Sequence, residues 1–151
     1  MTFKGFVLQG LVLCGLLSAV GCAVNPVTGQ QQLMLLSEQD ESGLGSQTDQ
    51  SVIEQYGVYQ DAGLQNYLQG MGQSIARISH RPSLDWQFKV MDSPVVNAFA
   101  APGGYIYVTR GLLAAVNDEA ELAGILGHEI GHVTARHSAQ QYSKMMLANI
   151  G

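Results

Sequence analysis

Asp118-Glu-Ala-Glu-Leu-Ala-Gly-Ile-Leu-Gly-His-Glu-Ile-Gly-His132 reads as one helix that opens on a cap and closes on a metal-binding pattern. Asp118 followed by Glu121 has the spacing of a capping box, with the aspartate as cap. His128 and His132 stand four residues apart. That spacing sets them one turn apart on a single helix face, so both imidazoles reach one ion. Zinc suits neutral imidazole and a tetrahedral site with one open position. Such an ion activates water. Glu129, beside the first histidine, can take the water's proton and later give it to a leaving amine. The pattern therefore predicts one Zn2+ ion, His128 and His132 as its ligands, and Glu129 as general base and acid. Three fixed residues in a five-residue window arise by chance in a chain this long about once in a few hundred cases. The competing reading is a pair of core histidines that satisfy each other or the backbone.

Gly124, Gly127 and Gly131 interrupt the same helix. They weaken it and suggest close packing against another backbone. His137 lies nine residues after His128. At about 100° per residue it turns to the far side of a straight helix. It is a poor third ligand unless the helix ends first, and is expected to donate to a neighbour or cap the helix. A metzincin would have Gly and His where this chain has Ala135 and Ser138, which excludes that subclass. The other source of a third ligand is a later carboxylate. No Asp or Glu occurs from Val133 to Gly151.

Upstream, Ala101-Pro102-Gly103-Gly104 predicts a hairpin turn between two short strands, Val95 to Ala100 and Tyr105 to Thr109. Leu112 to Val116 predicts a short apolar helix. Trp86, Phe88 and Val90 alternate with Gln87 and Lys89, the pattern of a half-buried strand. Leu64, Tyr67, Leu68, Met71, Ile75 and Ile78 recur at helical spacing, which predicts a helix over 61–78. His80 follows it as a solvated residue. Ser37 before Glu38 and Glu41 marks another helix start, weakened by Gly43 and Gly45.

The N-terminus has the layout of a secretory signal. Lys4 precedes the apolar run Phe6 to Val20, broken only by Gln9, and Gly21-Cys22 follows. The run is short for a membrane span, which needs about 20 residues; a transmembrane anchor is the alternative. Ala19-Val20-Gly21-Cys22 resembles a bacterial lipoprotein signal, although Ala19 stands where Leu is usual. That resemblance implies lipidation of Cys22 and attachment to a membrane surface. Ala23 after the cysteine implies the outer membrane, facing the periplasm, over the inner one. The segment from Asn25-Pro26 to Thr28-Gly29 reads as turn-rich and extended. The expected division is a signal over 1–21, a tether over 22–36 and a domain over 37–151.

The 151 residues suit one domain. A net charge of -5 with no basic cluster argues against nucleic-acid binding.

Asn97 to His137 resembles the HtpX/BepA-type, or Oma/CAAX-protease-like, zinc metallopeptidases. The likeness rests on Asn97-Ala-Phe-Ala-Ala-Pro-Gly-Gly-Tyr-Ile-Tyr-Val-Thr-Arg-Gly-Leu-Leu113 and on Asp118 to His137, with Asn25-Pro-Val-Thr-Gly-Gln30 resembling the family's periplasmic lipoproteins. It implies an α+β, zincin-like (gluzincin) fold, with helices and a small antiparallel sheet or hairpin against the motif helix. It implies a zinc endopeptidase acting on misfolded or misassembled envelope proteins. It also implies a strand that pairs with extended substrate, near Asn97, Ala98, Phe99 and Ala100 or on the strand from Tyr105. A hairpin that only packs the helix is the plainer alternative. In the family a Glu on a following helix completes the metal site. Its absence here implies a fragment, weak or inactive alone; a non-catalytic binding or chaperone-like module is the other reading.

Overall fold

A computed structural model describes residues 22–149. The segment read as a signal, 1–21, lies outside the described residues. A short hairpin comes first, β1 (Cys22–Val24) and β2 (Gln31–Leu33), then helices α1 (Glu38–Tyr56) and α2 (Ala62–Ala76). Strands β3 (Gln87–Met91), β4 (Ala98–Ala101) and β5 (Tyr105–Thr109) follow, with a 3-10 turn at Pro102–Gly104. Three helices close the chain: α3 (Arg110–Leu113), α4 (Glu119–Thr134) and α5 (His137–Ala148).

The expected antiparallel sheet is instead mixed, with strand order β3-β5-β4. β4 and β5 form the predicted antiparallel hairpin, while β3 runs parallel to β5. The reason lies in composition. Ile106, Tyr107 and Val108 have 0 % exposure, so the most apolar strand takes the centre and is covered on both sides. Phe88, Val90, Ile106 and Val108 face α2 and α4, whose Leu68, Leu122, Leu126 and Ile130 complete the main core. The alternate residues, Met91, Ala101 and Tyr107, face Val52 of α1 in a second cluster. The "polar" side of β3 is thus covered too, and Lys89 there donates to Asp49 of α1 at 2.6 Å.

The first helix runs unbroken for 19 residues through Gly43 and Gly45. Ser37 and Asp40 close a capping box at its start. Gly45 admits the Pro102–Gly104 turn, since a Cβ there would sit 2.2 Å from the Pro102 carbonyl oxygen. Gly45→Ala is expected to cost about 1–3 kcal/mol, the range for forcing a methyl into a filled contact. A urea melt measures it, and an unchanged midpoint would contradict the close approach. Within the turn, Gly103 and Gly104 have φ of +78° and +105°, which glycine alone adopts freely.

The stretch expected as a tether, 22–36, is docked. Asn25 is buried, and its amide donates to Ala135 O at 3.1 Å. Leu35 N donates to Ser143 Oγ at 3.0 Å. Turn residues Asn25 and Gly29 do bend the chain, but into a hairpin that ties the α4–α5 corner. Cys22 is the first residue of β1. No helix among the described residues is long and apolar enough to cross a membrane.

Candidate active site

α4 starts at the predicted cap, where Asp118 accepts from Glu121 N at 2.9 Å. The Glu121 carboxylate returns to Asn117 N, one residue outside an ideal box. Leu122, Leu126, Ile130 and Val133 form the buried face. The periodicity that buries them turns His128 outward and leaves Glu129 and His132 half-buried. The Nε2 atoms of His128 and His132 lie 3.0 Å apart, with the rings at 84°. Two nitrogens bound at about 2.0–2.1 Å to one tetrahedral ion stand roughly 3.3 Å apart. The imidazole pair therefore fits an ion after a shift of a few tenths of an ångström.

Gly124, Gly127 and Gly131 do not pack against another backbone, contrary to the sequence reading. A Cβ at any of them meets nothing within 4 Å. They lie on the open side of α4.

Glu129, His132 and His137 face a groove whose opposite wall is Ala98, Phe99 and Ala100 of β4. Asn97 is not part of that wall. Its backbone is engaged with Thr109, through Thr109 Oγ1 at 3.1 Å and Thr109 N at 3.0 Å. Partial burial pushes the Glu129 carboxyl above the ordinary carboxylate range, and the His132 and His128 imidazoles pull it back.

The two edges of the sheet differ. Gln65 and Gln69, one turn apart on α2, close the β3 edge: Gln69 bonds Trp86 O and Phe88 N, and Gln65 bonds Val90 N and O. Along β4, no hydrogen bond beyond the β5 ladder involves residues 98–101 among the described residues. The open edge is the one beside Glu129 and His132.

His137 departs from the straight-helix expectation because α4 ends at Thr134 and the chain turns at Arg136. Its Nδ1 lies 2.7 Å from Nδ1 of His132. This contact uses the opposite nitrogen from the one that faces His128, so His137 could not share an ion placed between His128 and His132. Accordingly, no group of three or more His, Cys, Asp or Glu is arranged around one point among the described residues.

Sequence reading missed the ion cluster behind the site. Glu41 is 1 % exposed and accepts from Arg136 Nε at 3.0 Å and Arg81 Nη1 at 3.2 Å. In the sequence Glu41 looks like a first-turn helix acid, and its partners lie 40 and 95 residues away. Ser138 and Gln141, which also border the groove, give no sequence signal at all.

The family model described as Peptidase family M48 matches residues 62–150. The mitochondrial metalloendopeptidase OMA1 of Arabidopsis thaliana is 36% identical over 103 residues, which cover 68% of this chain and 21% of that protein. The mitochondrial metalloendopeptidase OMA1 of Bos taurus is 32% identical over 134 residues, 82% of this chain and 25% of that one. The beta-barrel assembly-enhancing protease of Escherichia coli (strain K12) is 30% identical over 77 residues, 51% of this chain and 16% of the relative. The chain thus spans a quarter or less of the length of these curated relatives.

Proposed function

We infer the function from one premise: this chain belongs to peptidase family M48. It carries the base and two metal-binding imidazoles of a zinc-dependent endopeptidase of the bacterial cell envelope, one that cleaves misfolded or misassembled proteins. The observation that carries this reading is the 3.0 Å approach of the two Nε2 atoms above a groove bordered by Glu129 and an open strand edge.

His128 and His132 would hold the ion through Nε2. A bound zinc ion supplies a Lewis acid for the scissile carbonyl and for water. Glu129 takes a proton from the attacking water. The water oxygen adds to the carbonyl carbon, the C–N bond breaks, and Glu129 returns the proton to the amine nitrogen. The β4 edge holds the substrate extended by offering its unpaired N–H and C=O groups. This pairing is independent of side-chain identity, which suits a protease whose substrates share misfolding and not a sequence.

The relatives named as beta-barrel assembly-enhancing proteases support an envelope setting. So does the N-terminal lipoprotein-like signal, with Cys22 as the lipidated residue and the outer membrane as the site of attachment. In cells given labelled palmitate, the protein is expected to carry label, and Cys22→Ser to lose it. Equal labelling of both would remove the lipid anchor from the account.

Casein cleavage by the intact gene product tests the function itself. Chelation is expected to abolish cleavage, and one equivalent of zinc to restore it. The described residues supply two protein donors, which hold zinc more weakly than three. The 151 residues alone are therefore expected to cleave weakly or not at all. Chelator-resistant cleavage would overturn the reading. The alternative, a binding module on the same fold, predicts capture of unfolded casein without any cleavage.

A further inference from the structure

We propose that His137 is a positioning residue: its Nδ1 accepts the Nδ1–H of His132 and so turns the lone pair of His132 Nε2 toward the metal. The proposal rests on the metal-site reading above and adds a residue to it.

The two ring nitrogens of His132 have different surroundings. A neutral imidazole carries one proton, and the nitrogen that bears it cannot bind a metal. Nε2 of His132 faces His128 at 3.0 Å and is the metal-facing atom. The proton must then sit on Nδ1. Which nitrogen keeps the proton is set by the partner of the other one. The only side chain in hydrogen-bond contact with Nδ1 among the described residues is His137, at 2.7 Å through its own Nδ1. For the pair to be compatible with metal binding, His137 must hold its proton on Nε2 and present Nδ1 as an acceptor.

The fold spends strain to create this contact. Arg136 is the one non-glycine residue with positive φ among the described residues, at φ 57° and ψ 34°. A left-handed conformation is unfavourable for a residue with a side chain, because its Cβ crowds the following carbonyl oxygen. It is held from several sides. The Arg136 guanidinium is bound by Glu41 at 3.0 Å and by Leu36 O at 3.0 Å. The carbonyl of Ala135 accepts from Asn25 and Gln140. Without the turn, α4 would run on and carry His137 away from His132. Strain of this kind persists where the surroundings over-determine it, and it points to a site. His137 itself is exposed, so its place is not a packing requirement.

The test measures zinc affinity of the full chain by competition with a chromogenic chelator, together with imidazole 15N spectra of His132. The variants are His137→Phe, which keeps a ring without an acceptor, and His137→Asn, whose Oδ1 can accept where Nδ1 did. His128→Ala serves as the control for the metal site. Loss of an outer partner of this kind weakens a metal site about 10–100-fold. His137→Phe is expected to fall in that range, and His137→Asn to stay within about threefold of the parent. In the spectra, the His132 proton on Nδ1 is expected to persist in His137→Asn and to be lost from that fixed position in His137→Phe. Full affinity in His137→Phe, or equal loss in both variants, overturns the proposal while leaving the metal site intact. Full affinity in His128→Ala overturns both.

Discussion

Glu41→Ala is expected to destabilise the folded chain by about 3–5 kcal/mol, the cost of removing one partner from a buried ion pair. Three charges meet here: Glu41, Arg81 and Arg136 are 1 %, 7 % and 7 % exposed. Arg81 has a second acid near it, the exposed Glu38 at 3.5 Å, and Nη1 also reaches Val133 O. Arg136 has Leu36 O besides Glu41. Removing the carboxylate therefore leaves two guanidiniums in a low-dielectric site with only carbonyls and one distant acid for company. Desolvation that Glu41 now offsets becomes uncompensated. The consequence is not only global. Arg136 would lose the contact that holds its left-handed backbone, and the α4–α5 corner would loosen where His137 meets His132. For a domain of this size the loss corresponds to a fall in Tm of roughly 10–20 °C. A fall of less than about 3 °C would mean that the cluster is hydrated and not a structural tie.

Glu129→Gln is expected to lower kcat of the intact gene product on casein by at least 10²–10⁴-fold, the usual share of a general base. The substitution keeps shape and hydrogen-bonding reach but removes the ability to take a proton. Glu129 sits beside the imidazole pair without belonging to it, so zinc affinity should stay near the parent value. That combination distinguishes the base from a ligand: His128→Ala is expected to lose both metal and activity. Burial raises the Glu129 carboxyl. A base whose pKa lies nearer to neutrality returns its proton to the leaving amine more readily. Full activity in Glu129→Gln would assign the proton transfer to another group.

The motif helix was legible because its signals are local. Asp118, the apolar stripe and the His128–His132 spacing all lie within one segment of one period. The β4–β5 hairpin was legible for the same reason, through Gly103 and Gly104. What was not legible depends on distant partners. The parallel pairing of β3 with β5 follows from which strand is buried on both sides, a property of the assembled sheet. Docking of residues 22–36 depends on Asn25 finding Ala135, 110 positions away. The place of His137 depends on a left-handed arginine, which no propensity predicts, held by Glu41 from the first helix. The reading of Gly124, Gly127 and Gly131 failed because glycine marks an open helix face as readily as a crowded one.

On this reading one metal ion binds between His128 and His132. X-ray absorption at the zinc edge, on the full chain loaded with one equivalent, tests it most directly. The account predicts one ion per chain with two imidazole nitrogens at about 2.0–2.1 Å, and loss of that signature in His132→Ala. A zinc environment without imidazole, or one unchanged in His132→Ala, would contradict it.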